Sequence, residues 1–137
     1  MGSSAVKYRG KGFWSYDRYL EDALALMAEA IDPETPESWL TDARRHWSLM
    51  STGIFLGCVY PDFDEIVTSE SREKTVLALL ESALSRSDLT PEARATLQLM
   101  SKLILGELDL VLSSPLDYMV SREHPYRKMR TQPAMGL

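Results

Sequence analysis

Three sets of residues in this chain carry groups that could do chemistry. His46, in Asp42-Ala43-Arg44-Arg45-His46-Trp47, could serve as a general base, because imidazole titrates near neutral pH. Cys58 is the single thiol. The third set is acidic: Asp62, Asp64 and Glu65, with Glu70 and Glu73 beyond them, could gather a hard cation.

For each set the plainer reading is preferred. His46 falls at the edge of a helix face set by Trp39, Ala43, Trp47 and Met50, and no second catalytic group is spaced to pair with it. A structural histidine is expected. Cys58 follows the apolar run Ile54-Phe55-Leu56, and its nearest charges are Asp62, Asp64 and Glu65. Carboxylates oppose a thiolate, so a buried and inert thiol is expected. A calcium loop needs alternating ligands over about twelve residues and a glycine at the sixth. No glycine lies between Gly57 and Glu73. The acids are expected instead at a helix N-terminus, where the helix dipole favours them. Gly10-Lys11-Gly12 lacks the lysine-serine/threonine ending of a phosphate loop. No catalytic residue, metal or cofactor is expected, and the chain is not expected to be an enzyme.

The elements that must position these residues are helical by periodicity. Tyr16, Leu20, Ala23, Leu24, Met27 and Ile31 recur at three- and four-residue spacing, predicting a helix from Ser15 or Tyr16 to about Ala30. Asp32-Pro33 stops it. Thr35-Pro36-Glu37 supplies a cap, a first-turn proline and a first-turn acid for a second helix, with Trp39, Leu40, Ala43, Trp47 and Met50 on one face. The same tripeptide recurs at Thr90-Pro91-Glu92, ahead of Ala93, Leu97, Met100, Leu103 and Ile104. Between them, Ser69 caps a leucine-rich helix from about Glu70 to Arg86. Pro61 to Val67 fits a short helix. Gly106 breaks the helix begun at Thr90, and Leu108 to Leu112 forms either its continuation, a short helix or a short strand.

Ile54 to Val59 is apolar and too short for periodicity to separate strand from helix. With no partner strand evident, a helix or helix-like loop is expected. Residues 1–12 then form an N-terminal arm, with Phe13 and Trp14 plugging the core, and residues 122–137 a loosely ordered tail. The fold class expected is all-α: one domain over 1–137, a compact antiparallel bundle of four main helices plus one or two short ones.

Composition narrows the function. The 45% apolar share is enough for a core at 137 residues. With one cysteine no internal disulfide can form, and a reducing, cytoplasmic compartment is expected. The start lacks the apolar stretch of a secretory leader, no run spans a bilayer, and Gly2-Ser3-Ser4 are given no weight. Of the net charge of −5, each end (1–12 and 122–137) contributes +3, which leaves −11 on residues 13–121. An acidic body repels nucleic acid and attracts basic proteins.

Two segments carry a family likeness. One is Gly10-Lys11-Gly12-Phe13-Trp14 before a long helix. The other runs from Trp47 through Gly57-Cys58-Val59 and Pro61-Asp62-Phe63-Asp64-Glu65-Ile66-Val67-Thr68 to Arg72. Together they resemble small all-helical bacterial immunity proteins, which neutralise secreted or contact-delivered toxins. That resemblance implies tight binding to a cognate toxin domain and occlusion of its basic site. The expected contact residues are Tyr60, Asp62, Phe63, Asp64 and Glu65, with Glu70 and Glu73. Phe63 is equally compatible with an inward, anchoring role. The alternatives are a self-associating helical scaffold, hence a homo-oligomer, and last a small enzyme using His46.

Overall fold

The structure, a computed structural model, describes residues 2–108. The expected 122–137 tail and the segment after Leu108 lie outside them.

The chain opens with a β-hairpin, not an arm. Strands β1 (Ser3–Tyr8) and β2 (Lys11–Tyr16) pair antiparallel, with Tyr8 opposite Lys11, Val6 opposite Phe13 and Ser4 opposite Ser15. The local cause is alternation. Ser4, Val6 and Tyr8 are buried, as are Phe13 and Ser15, while Lys7 is exposed and Ala5, Trp14 and Tyr16 are half-buried. The turn is the two-residue Arg9-Gly10, with φ of 51° and 80°. Both residues are left-handed, the geometry whose twist matches that of paired strands. Glycine adopts it freely; at Arg9 the amide is held by Asp64 Oδ1 at 2.9 Å. The all-α expectation is thereby overturned: the described residues form a mixed fold, five helices with a two-stranded antiparallel sheet.

The helices are α1 (Asp17–Ala30), α2 (Ser38–Met50), α3 (Phe63–Ile66), α4 (Glu70–Leu84) and α5 (Pro91–Leu105). Capping places α4 and α5 where the sequence did. Ser69 Oγ accepts the Arg72 amide at 3.2 Å and Thr90 Oγ1 accepts the Ala93 amide at 3.1 Å. Gly106 ends α5 in the left-handed conformation. The first Thr-Pro-Glu behaves differently from the second. Thr35 is drawn into a turn with Asp32, its hydroxyl takes the Glu37 amide at 3.3 Å, and α2 starts only at Ser38.

Helix α1 packs against α2, α4 and α5, and the hairpin lies against α1, α3 and α5. The core is built from Leu20, Leu24 and Met27 of α1, Trp47 of α2, Leu80 of α4 and Leu97 and Met100 of α5, with Val6 and Phe13 from the hairpin. Among the described residues no helix is long and apolar enough to cross a membrane.

Candidate functional site

Residues 51–62 carry no regular structure, so of the helix or helix-like loop expected for 54–59 the helix is absent. Gly53 and Gly57 both have positive φ, 89° and 79°; Gly53 precedes, and Gly57 sits third in, a turn closed by the Cys58 amide on the Phe55 carbonyl at 2.8 Å. The turn throws Ile54 and Leu56 outward, 72% and 71% exposed. Cys58 is exposed as well, so the buried thiol expected from its apolar neighbours is corrected. The reason is the pair of glycines, which turn the backbone so sharply that alternate side chains leave the core.

The loop is fixed by a buried carboxylate. Asp17, 2% exposed, accepts the Ser4 hydroxyl at 2.5 Å on one oxygen and the Gly57 amide at 2.7 Å on the other. Ser4 Oγ in turn accepts the Val59 amide at 2.9 Å, and the Asp17 amide donates to the Gly2 carbonyl at 2.9 Å. Gly2 and Ser4, given no weight in the sequence, are thus part of the joint. A side chain at position 2 would run into the Asp17 carboxylate.

Further along, α2 grips the backbone. Trp47 Nε1 donates to the Pro61 carbonyl at 2.8 Å, and His46 Nε2 lies 3.0 Å from the Tyr60 carbonyl. A carbonyl oxygen can only accept, so this nitrogen carries the proton. The expected structural role for His46 has this contact behind it: the histidine is a clip, with its ring 5.2 Å from that of Tyr60.

Between the outward side of the hairpin and this segment runs a groove of about 520 Å³. Ala5, Lys7 and Trp14 form one wall, and Gly57 to Glu65 the other. The expected contact residues divide on it. Tyr60 is 43% exposed, Glu65 is exposed and Asp62 half-buried, all lining the groove. Glu70 is exposed at the start of α4, outside the lining.

Phe63 is fully buried, edge-on to Tyr8 and Trp47. It takes the inward role, worth about 1.5–3 kcal/mol of burial, and is not available to a partner. Asp64 and Glu73 are committed internally. Asp64 caps Arg9, while Glu73 accepts the Tyr8 hydroxyl at 2.5 Å and pairs with Arg9 at 3.2 Å. Burial, then the Glu73 hydrogen bond, pushes the Tyr8 hydroxyl up to about 12.

Sequence reasoning passed over Ala5, Lys7 and Trp14 as groove residues, and Ile54 and Leu56 as exposed ones. The available signals were the alternation around Arg9-Gly10 and the glycines at 53 and 57. Among the described residues no three of His, Cys, Asp and Glu come together as a metal site would need. Compared with known protein families, curated proteins and solved structures, the chain matches none of them.

Proposed function

We propose that this chain is a protein-binding domain, of the immunity type, that neutralises a basic toxin domain by covering its active site. The observation that carries the reading is the pair Ile54 and Leu56, held out of the core on a loop that Asp17, His46 and Trp47 anchor at both ends. Large apolar side chains on an anchored loop are what an interface core uses, and Tyr60 beside them is a favoured anchor type. Asp62, Glu65 and Glu70 give the rim its sign, which selects a basic partner and speeds encounter. Such a domain acts without catalysis, and a cytoplasmic setting follows from its target and its lone cysteine.

The test is partner capture from the native host with the wild-type chain and with an Ile54→Asp, Leu56→Asp variant, followed by co-expression. A basic protein retained by the wild type, lost by the variant, and toxic unless the wild type is co-expressed, supports the reading. Identical captured sets, or toxicity that co-expression leaves unchanged, would defeat it.

A further inference from the structure

The hairpin's pairing determines which of its backbone groups are used. A two-residue turn makes Tyr8 and Lys11 a hydrogen-bonded pair, and such pairs recur at every second position. Val6 with Phe13 and Ser4 with Ser15 follow, and the Asp17 amide on the Gly2 carbonyl extends the same series. Ala5 and Lys7 fall in the alternate pairs. Their amides and carbonyls therefore point away from β2, at the open side of β1.

The groove adjoins that side. The 57–65 segment forms its far wall, yet meets the hairpin through side chains: Ser4 Oγ on the Val59 amide, and Asp64 Oδ1 on the Arg9 amide at the turn. No backbone-to-backbone hydrogen bond joins this segment to β1. Among the described residues, then, the outward backbone groups of Ala5 and Lys7 have no partner. An open strand edge of this kind accepts another strand readily.

We propose that this edge takes an extended basic segment of the partner protein as a third strand, paired to Ala5 and Lys7 and lying over the 57–65 ledge. The inference rests on the partner reading above and specifies the mode. A strand's side chains alternate between two sides. One set would face Asp62 and Glu65 on the ledge, and the other would lie over Ala5 and Trp14. The matching segment alternates Lys or Arg with apolar residues. The carboxylates outnumber Lys7, the one cation among the described residues of the groove lining, so the charge balance favours a basic strand.

The test uses the full chain, isotopically labelled, and a synthetic hexapeptide of alternating lysine and valine as probe. A second probe is the same peptide N-methylated on alternate amides. Binding should shift the Ala5 and Lys7 amide signals and slow their exchange with solvent, and N-methylation should weaken binding about tenfold, as for loss of paired hydrogen bonds. Ala5→Pro removes an amide that β2 does not use, which an edge strand tolerates, and should weaken the unmethylated peptide about as much. The N-methylated peptide decides the matter even if that variant fails to fold. Equal affinity for the two peptides, no binding at millimolar peptide, or shifts at Tyr60 and Glu65 without Ala5 and Lys7 would overturn strand addition. A basic partner captured equally by wild type and a folded Ala5→Pro variant would refute the strand and leave the partner reading standing. Failure to capture any basic partner would refute that reading instead.

Discussion

The carboxylate of Asp17 and the backbone amide of Gly57 meet at 2.7 Å across 40 residues of sequence. This contact joins the start of α1 to the exposed loop, and through Ser4 it also holds Val59 and β1. A buried charge is tolerable only because both oxygens are engaged. Asp17→Ala strips Ser4 and Gly57 of their acceptor. It should cost about 2–4 kcal/mol in denaturant unfolding and speed amide exchange at Gly57 and Val59. A cost below about 1 kcal/mol, with exchange unchanged, would show that the loop is held by other means.

Tyr8 gives a pH signature. Its folded-state pKa is raised from the ordinary 10.0 to about 12, so the folded chain holds this proton more tightly than the unfolded one. The stabilisation is complete below pH 10 and is lost as pH climbs towards about 12. Tyr8→Phe should lower stability at pH 7 by about 1–2 kcal/mol, for the hydrogen bond to Glu73. The gap between variant and wild type should narrow between pH 10 and 12. Parallel curves over that range would show that the Tyr8–Glu73 contact does not hold the hairpin.

Four helices were legible in the sequence because their stripes and caps agree. Leu20, Ala23, Leu24 and Met27, or Leu97, Met100 and Leu103, need only one buried face to be found, and Ser69 and Thr90 mark their own helices. The hairpin was not legible as such. Arg9-Gly10 is a weaker turn signal than Asn-Gly, and the small residues Ser3, Ser4 and Gly12 dilute the alternation. The acidic segment was found, but not its division of labour. Whether Asp64 and Glu73 face solvent or clasp Tyr8 and Arg9 depends on residues more than fifty positions away. The apolar run 54–56 misled, because hydrophobicity alone points inward while Gly53 and Gly57 turn it out.

Glu21 titrates in the opposite direction to a stabilising carboxylate. Burial raises its pKa, with Asp17 and Asp22 adding to the effect, and one carboxyl oxygen is buried without a partner among the described residues. A raised pKa favours the fold while the group is protonated, below the ordinary carboxylate range near 4.3, and the benefit is lost as pH rises through the folded-state value. At pH 7 the ionised group therefore opposes folding. Glu21→Gln should raise Tm by a few degrees at pH 7, with the difference closing towards pH 4. An unchanged or lowered Tm at pH 7 would contradict this.

Ile54 and Leu56 separate binding from folding. Both are more than two-thirds exposed, so Ile54→Asp and Leu56→Asp should alter stability by less than about 0.5 kcal/mol while abolishing partner capture. Light scattering on the same proteins tests the homo-oligomer alternative. A wild-type dimer that the substitutions turn into a monomer would assign the patch to a second copy of this chain. A large loss of stability would mean the two side chains are covered within the chain itself.

The most direct measurement of the central claim is partner affinity after charge reversal at Asp62 and Glu65, which line the groove, whereas Asp64 holds the hairpin turn through the Arg9 amide. Binding of the captured basic protein is measured at low and at physiological salt, for wild type and for Asp62→Lys, Glu65→Lys. The expected result is a loss of at least about tenfold at low salt, shrinking as salt screens the rim. Affinity unchanged at low salt would contradict an acidic docking surface at this groove.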